Sequence, residues 1–218
     1  VLSPDTKYIL GNGEFRTPLP NDGRHVNEPE KYTALFSAVD PDSMETAWQV
    51  KVDGNLDIVD SDKDGRWVLS SAYNDEEGVE IEEMTKDDRD SVKAFDIPAI
   101  QELVDAGEGT EVDGIPVIDG TESSKHNSGS DPIVRYIPTP KSPHCVEVTP
   151  DGNYGMVAGK LSPTVSIIDI EKLGTASAPA DTIVGQPKVG LGHSTPLTTA
   201  GGTPTPRCSS THRWSSGT

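Results

Sequence analysis

Short β-strand patterns separated by turn residues recur along most of this 218-residue chain and limit the folds open to it. The candidate strands are rich in Val, Ile, Thr and aromatic residues, and several alternate apolar with polar positions. Asn-Gly, Asp-Gly and Pro-Asp pairs between them supply the sharp reversals that antiparallel strands need. The candidates are Lys7–Leu10, Thr33–Val39, Ala47–Val52, Trp67–Ala72, Val92–Asp96, Val134–Ile137, Cys145–Val148, Tyr154–Ala158 and Thr164–Ile168.

Helical signals are few. Ala99–Ala106 has apolar residues three and four apart, and Gly107 can end a helix there. Glu80–Asp90 predicts at most a short helical turn in a charged loop. We therefore predict an all-β fold, either a propeller or a sandwich. The strand–turn–strand–turn–strand pattern from His144 to Asp169 favours the propeller.

The charge of the chain excludes two classes of partner. With 36 acidic and 18 basic residues the formal net charge is −18. Such a chain does not neutralise the phosphates of nucleic acid, and an anionic membrane surface repels it. The acidic surface instead favours a halophilic protein that stays soluble in high salt. No apolar run approaches the ~18 residues of a membrane span.

The ends of the chain differ from its body. Residues 185–218 contain no Asp or Glu, and 22 of these 34 residues are Gly, Pro, Ser or Thr. We predict a folded part at 1–184 and a tail at 185–218 that is disordered or not in its proper reading frame. No signal peptide is visible, but the chain begins with Val1 and we expect a segment before it.

Three places could bind metal ions. Asp60–Gly65 opens like a calcium-binding EF-hand loop, but its twelfth position is Ser71 and a solvated acidic turn fits better. Tyr73–Asp90 contains many oxygen donors, which suit a hard cation such as Ca²⁺. A solvated acidic face explains the same composition equally well. His144 follows Pro143 and precedes a strand, so its imidazole could face a propeller channel or be an ordinary packed histidine.

Several segments resemble nitrous-oxide reductase, the copper enzyme that reduces N₂O to N₂. The resemblance covers roughly residues 5–192, and Glu-Met-Thr combined with Ala-Gly-Lys-Leu-Ser-Pro-Thr-Val is its most specific part. The matching segments are Phe36–Val50, Gly54–Asp57, Ser71–Asn74, Glu76, Gly78, Glu83–Thr85, Pro143–His144, Ala158–Val165 and Gly190–Gly192.

This resemblance implies part of a seven-bladed β-propeller, with about three blades present. In the family, axial histidines hold a sulfide-bridged tetranuclear copper cluster, and a cupredoxin domain, outside this sequence, holds a dinuclear copper site. It also implies N₂O as substrate in denitrification, an electron donor such as a cytochrome c or cupredoxin, a homodimer and a periplasmic or extracytoplasmic location. The sequence offers one cluster histidine, so we expect this fragment to be inactive alone.

The resemblance assigns the copper residues position by position. His144 matches a cluster ligand, and the histidine ligands that precede it in the family lie upstream of Val1. Asp57 matches a carboxylate that orients a ligand imidazole. The family usually has Gly after the histidine, where this chain has Cys145.

The resemblance also implies a calcium site. Tyr73, Glu76, Met84 and Asp90 match its ligands, with Tyr73 and Met84 binding through their backbone carbonyls. The fifth ligand in the family is an Asn two residues before the histidine. Here that position is Ser142, whose hydroxyl is a weaker ligand.

The tail departs from the family pattern. The family continues Gly-Leu-Gly-Pro-Leu-His, whereas here Gly192 is followed by His193. Loss of one C from GGN-CCA-CTC-CAC gives the reading found, and permissible codons in the restored frame encode a long continuation almost identical to the family's. We therefore predict a single-base deletion near codon 193, so that His193 and His212 are not ligands. The nucleotide sequence tests this prediction.

Two other function classes are compatible with parts of the pattern. A non-enzymatic extracytoplasmic propeller that serves as a binding module would share the Pro-Asp-Gly turns and the Ser-Pro-Thr-Val strand. It would not need Glu83–Thr85 or Pro143–His144. The other class, a hydrolytic metalloenzyme, would need a motif with paired metal ligands, and this sequence has none.

Overall fold

The computed structural model describes residues 1–3, 5–84 and 89–190, and β-strands dominate them. The two α-helices are α1 (Ile81–Met84) and α2 (Ile97–Asp105), and short 3₁₀ helices lie at Pro29–Lys31, Glu171–Gly174 and Pro179–Thr182. The strands are β1 (Ile9–Asn12), β2 (Thr17–Pro18), β3 (Tyr32–Val39), β4 (Thr46–Val52), β5 (Asn55–Ser61), β6 (Trp67–Tyr73), β7 (Ser91–Asp96), β8 (Thr110–Val112), β9 (Ile115–Asp119), β10 (Val134–Pro138), β11 (Pro143–Val148), β12 (Tyr154–Gly159), β13 (Val165–Asp169) and β14 (Ile183–Gly185).

These strands form three sheets within the described part of the chain. The first has the order β1-β3-β4-β9-β8 with β2 beside β3, the second β10-β7-β6-β5 and the third β11-β12-β13-β14. Every pairing is antiparallel except that of β4 with β9, which is parallel. The predicted all-β partial propeller of about three blades is confirmed, one sheet forming each blade.

The strand predictions agree with the structure, and the misses are informative. All nine candidate segments overlap strands, and α2 lies where helical periodicity indicated it. The prediction missed β2, β5, β8, β9 and β14. Among these, β5 carries Asp57 and Asp60 among its apolar residues. Their carboxylates find partners in the neighbouring sheet, because Asp60 Oδ2 accepts a hydrogen bond from the Val148 N–H at 2.8 Å. A strand with such partners tolerates acidic residues that propensity disfavours.

The middle sheet is covered on both faces. Every residue of β7 is buried, as are all but the last residue of β6. Phe36 of the first sheet stacks on Phe95 of the second with ring centroids 4.1 Å apart. On the other face, Leu69 packs in a cluster with Val146 and Val157 of the third sheet. Burial of apolar side chains between consecutive sheets is what holds neighbouring blades together.

An insertion from the second blade completes the first. Between β7 and β10 the chain forms α2, whose N-cap Asp96 accepts a hydrogen bond from the Ala99 N–H, and then β8 and β9. Strand β9 joins β4 of the first sheet, in the register that pairs Val50 with Ile118. The two blades therefore share backbone hydrogen bonds as well as a core.

The first strands of the three blades, β1, β5 and β11, lie together, and we call this region the inner edge. The Asn12 side chain on β1 donates to the Asp57 carbonyl on β5 at 2.8 Å. Strand β5 also contacts β11 along its length. In a propeller the first strand of each blade lies nearest the axis, so residues of the inner edge are those that line the channel.

Ordered contacts extend past residue 184. Strand β14 ends at Gly185, and the Val189 N–H donates to the Pro163 carbonyl at 2.8 Å. Thr164 and Lys188 form an isolated bridge. The rest of the predicted tail, including Gly192, lies outside the described residues.

Candidate functional site

His144 lies on a β-bulge of the inner edge. In the pairing of β11 with β12, Pro143 opposes Gly159 and Cys145 opposes Ala158, so His144 is the extra residue. A bulge bends its strand and re-aims the side chain it carries. The carbonyl of His144 accepts a hydrogen bond of 2.7 Å from the Ser71 hydroxyl on the middle sheet, which fixes the bulge.

Asp57 lies on a second bulge, in β5. Leu56 pairs with Ala72 and Val59 with Ser70, so Asp57 and the residue after it oppose a single residue of β6. Its Oδ2 lies 2.5 Å from His144 Nδ1, and the two side chains are 8% and 15% exposed. The structure thus joins the predicted ligand to the carboxylate predicted to orient it.

This contact selects the imidazole tautomer. A carboxylate accepts hydrogen bonds, so Nδ1 of His144 carries the proton that it donates to Asp57. The lone pair of the neutral ring is then on Nε2, which is the form in which imidazole binds a metal ion. The arrangement can therefore present an oriented imidazole nitrogen at the inner edge.

Sequence reasoning assigned no role to two residues beside this pair. Lys160 Nζ lies 3.9 Å from Asp57 Oδ2, and Asn12 holds the Asp57 backbone through the hydrogen bond described above. The Ser70 hydroxyl donates to Asn12 Oδ1 at 3.2 Å, which orients that amide. Lys160 belongs to the segment Ala158–Val165 that matches the family, so the sequence could have indicated a role for it. Asn12 was recognised only as a turn residue.

Gly159 explains part of the Ala-Gly-Lys motif. A Cβ at this position would lie 2.7 Å from the Lys141 carbonyl oxygen. The Lys160 N–H also donates to the Ser142 carbonyl at 2.7 Å. The chain leading into His144 can approach β12 this closely only where no side chain intervenes.

A second polar site surrounds Asp90, which is buried just before β7. Its Oδ1 accepts from the Asn74 N–H at 3.1 Å, and its Oδ2 accepts from the Ser142 N–H at 2.5 Å. Asp90 therefore joins the segment that follows β6 to the segment that precedes His144. The structure brings Ser142 to Asp90, as a shared calcium site requires.

Glu76 belongs to the same region. Its two carboxylate oxygens accept from the Arg89 N–H at 2.6 and 2.9 Å, which holds it beside Asp90 along the chain. Tyr73 ends β6, and Met84 ends α1. The side chain of Met84 lies outside the described part. Hydrogen bonds link Asp90 to Ser142 and to Asn74, which follows Tyr73 directly. Glu76 is linked to Arg89, the neighbour of Asp90.

The electrostatics of Asp90 suit a cation. Burial raises the pKa of the Asp90 carboxyl, and the charges of Asp75 and Glu76 raise it further against the opposing hydrogen bonds from backbone N–H groups. Negative charge is therefore costly here without a counter-ion. Carboxylate and carbonyl oxygens are the ligands that Ca²⁺ prefers, so this donor set fits that ion.

The described residues do not by themselves form a complete metal centre. No group of three or more His, Cys, Asp or Glu side chains among them is placed to hold a metal ion. The inner edge offers one imidazole, and the Asp90 region offers two carboxylates. A tetranuclear copper cluster does not fit this one imidazole alone, although His144 fits the role of one of its ligands.

The EF-hand-like segment forms the hairpin turn between β5 and β6. Asp62 is only 5% exposed, so the expectation of a solvated turn is wrong for this residue. Its Oδ1 has no hydrogen-bond partner among the described residues, and burial raises its pKa. Ser71 turns away toward His144, so the loop lacks a twelfth-position ligand.

The other two described histidines lie in other parts of the fold. His25 Nδ1 lies 2.9 Å from Glu28 Oε1 on the surface, and His126 lies in the loop before β10. Cys145 is buried. His193, Cys208 and His212 lie outside the described residues. Within residues 1–3, 5–84 and 89–190, no helix is long and apolar enough to cross a membrane.

Comparisons with known proteins show that the chain is similar to nitrous-oxide reductases. Residues 2–58 match the family model described as nitrous oxide reductase propeller repeat 2. The chain is 41% identical over 198 residues to nitrous-oxide reductase of Stutzerimonas stutzeri and 40% identical over 197 residues to that of Pseudomonas fluorescens. Each alignment covers 87% of this chain and 30% of the relative, so the chain spans about a third of the length of these curated proteins.

A solved structure shares the fold. Kuenenia stuttgartiensis hydrazine synthase superposes with a TM-score of 0.53 at 15% identity, over 88% of this chain and 49% of that one. At this identity the likeness concerns the arrangement of strands alone.

Proposed function

We propose that this chain, which is related to nitrous-oxide reductases along most of its length, is a central segment of the catalytic β-propeller of such an enzyme. The enzyme as a whole would reduce N₂O to N₂ with two electrons. The observation that carries the proposal is His144, which is bulged out of β11 on the inner edge and held by Asp57.

His144 would be one copper ligand of the propeller channel. When bound, copper supplies electrons to N₂O and a Lewis acid for its oxygen. Within this chain, Asp57 would keep the proton on Nδ1 of His144, so that the lone pair of the neutral ring lies on Nε2. The bulge and the Ser71 hydrogen bond fix the backbone of His144, and the contact with Asp57 orients its ring, as preorganised metal ligation needs.

Calcium would bind at Glu76 and Asp90, with the carbonyls of Tyr73 and Met84 and the Ser142 hydroxyl completing the ligands. Its charge would offset the crowded carboxylates that burial leaves in this region. Because Asp90 also holds the Ser142 N–H, the ion would stabilise the backbone that leads into His144.

The remaining expectations concern the complete protein. We propose a periplasmic or extracytoplasmic enzyme that acts as a homodimer and takes electrons from a cytochrome c or cupredoxin. The fragment alone would not turn over, because it supplies one of several copper ligands and no electron entry site.

The complete coding sequence tests this proposal. A nitrous-oxide reductase requires a His-His pair upstream of this segment and a Cys-x-x-x-Cys cupredoxin loop downstream. Finding both supports the enzyme. A complete gene with neither, whose product binds no copper, would overturn the proposal in favour of the rival binding module.

A further inference from the structure

Three buried polar groups form a closed triangle behind the proposed calcium site. Lys93 on β7 is 0% exposed, and its ammonium lies 2.7 Å from Asp75 Oδ1. It also donates to the Ser91 hydroxyl at 2.7 Å. The Ser91 hydroxyl in turn donates to Asp75 Oδ2 at 2.7 Å. The Lys93 ammonium lies 3.8 Å from the ring centroid of Tyr136, which covers its remaining side.

The triangle joins the two chain segments that carry the acidic ligands. Asp75 immediately precedes Glu76, and Ser91 immediately follows Asp90. The same segments also meet through the Asp75 N–H, which donates to the Arg89 carbonyl at 2.9 Å. The positions of both carboxylates are thus set by contacts among their neighbours.

The Asn74–Gly78 loop needs such anchoring. Asn74 and Glu77 have φ angles of 58° and 59°, a left-handed conformation that is costly for Glu. Residues in this region stay there only where their surroundings over-determine them. Arg16, in the segment between β1 and β2, donates to the Glu77 and Gly78 carbonyls at 3.0 and 3.2 Å, and the triangle holds the other end of the loop.

Stability alone does not account for a buried lysine. Burial lowers the pKa of Lys93, because removing its ammonium from water is costly. Apolar residues of similar volume commonly replace a buried ion pair without loss of stability. What they do not replace is the directional set of hydrogen bonds that fixes where the two segments lie.

We propose that Lys93, Asp75 and Ser91 are positioning residues for the calcium site, an inference that rests on the proposed site at Glu76 and Asp90. They hold the two carboxylates at a spacing that accepts the ion before it binds. None of the three touches the ion.

The test compares charge-neutral changes in the full 218-residue chain. The double variant Lys93→Met with Asp75→Asn removes one charge of each sign, and Ser91→Ala removes none. Charge alone therefore predicts little change in calcium affinity, whereas the positioning role predicts at least a tenfold loss in both variants. Arg66→Met with Asp96→Asn is the matched control, because it also removes one charge of each sign from an ion pair, here one that lies away from the site. Calcium titration by calorimetry measures the affinities.

Hydrogen exchange of the calcium-free proteins gives a readout independent of the ion. Both variants should raise the exchange rates of the Asp75, Glu77 and Gly78 amides at least tenfold, while amides of β12 stay as protected as in the unaltered chain. Unchanged exchange, or unchanged calcium affinity in the variants, overturns the positioning role. If the unaltered chain itself does not bind calcium, the proposed calcium site is overturned. This result differs from failure of the positioning role, in which the unaltered chain binds calcium and the variants bind it equally well.

Discussion

Asp57 and His144 come from β-bulges on neighbouring inner-edge strands, and their side chains meet with Oδ2 and Nδ1 2.5 Å apart. Each bulge alone would re-aim one side chain. Two facing bulges set a carboxylate against an imidazole across a boundary between blades, where regular pairing would direct the side chains elsewhere.

Replacing Asp57 should alter the tautomer of His144. In Asp57→Ala the imidazole loses its acceptor at Nδ1, so the proton should move toward Nε2, whereas Asp57→Asn keeps an acceptor oxygen and should change less. Nitrogen NMR of the imidazole measures the tautomer. Loss of such a partner typically weakens metal binding about 10–100-fold. An unaltered tautomer in Asp57→Ala would contradict the assigned role, and Asp151→Ala on an exposed turn is the control.

Ser142 lies where the resemblance predicts an Asn among the proposed calcium ligands. Its φ angle is 56°, and Asn adopts this left-handed conformation more readily than Ser. Ser142→Asn should therefore stabilise the protein by about 0.5–1 kcal/mol, part of the ~1–2 kcal/mol cost of that conformation, and should tighten calcium binding. Thermal unfolding with and without calcium measures both effects. A lower melting temperature in both conditions would contradict this explanation.

The stacked rings of Phe36 and Phe95 hold the first two sheets together. Both side chains are fully buried, so Phe95→Ala leaves a cavity between blades and should cost about 3–5 kcal/mol. Urea unfolding measures the change. Exposed Phe15→Ala is the matched control and should cost far less. Equal losses for the two variants would mean that the sheets do not share this core.

Asp62 should make stability depend on pH. Burial raises the pKa of its carboxyl in the folded chain above the ordinary 3.8, so the folded form holds the proton more tightly than the unfolded form. Its contribution to stability is therefore greatest at low pH and falls as pH rises through the folded pKa. Asp62→Asn does not titrate.

The stability of Asp62→Asn relative to the unaltered chain should therefore increase as the pH rises from the ordinary pKa of 3.8 through the raised pKa of the folded chain. Urea unfolding at several pH values measures this difference. A difference that stays constant or decreases with rising pH would show that Asp62 is not the group responsible.

Sequence patterns predicted the blades well because strands such as β3 and β12 have apolar alternation and sharp turns that act locally. Strand β5 was missed because its acidic residues gain partners from the next sheet, which no local pattern shows. The pairing of β9 with β4 could not be predicted either, because it joins strands that are far apart in the sequence and belong to an insertion from another blade. At the site, the motif indicated His144, Asp57 and Asp90, whereas the bulges and the Lys93 triangle depend on register and burial that no local pattern encodes.

Copper content of the complete protein, which we propose to be a reductase, tests the central claim most directly when His144 is replaced by Ala. The claim predicts that this variant folds, as judged by unaltered circular dichroism, but loses copper from the cluster and N₂O reduction together, while His126→Ala retains both. A His144→Ala enzyme that keeps its full copper content and reduces N₂O at the unaltered rate would contradict it.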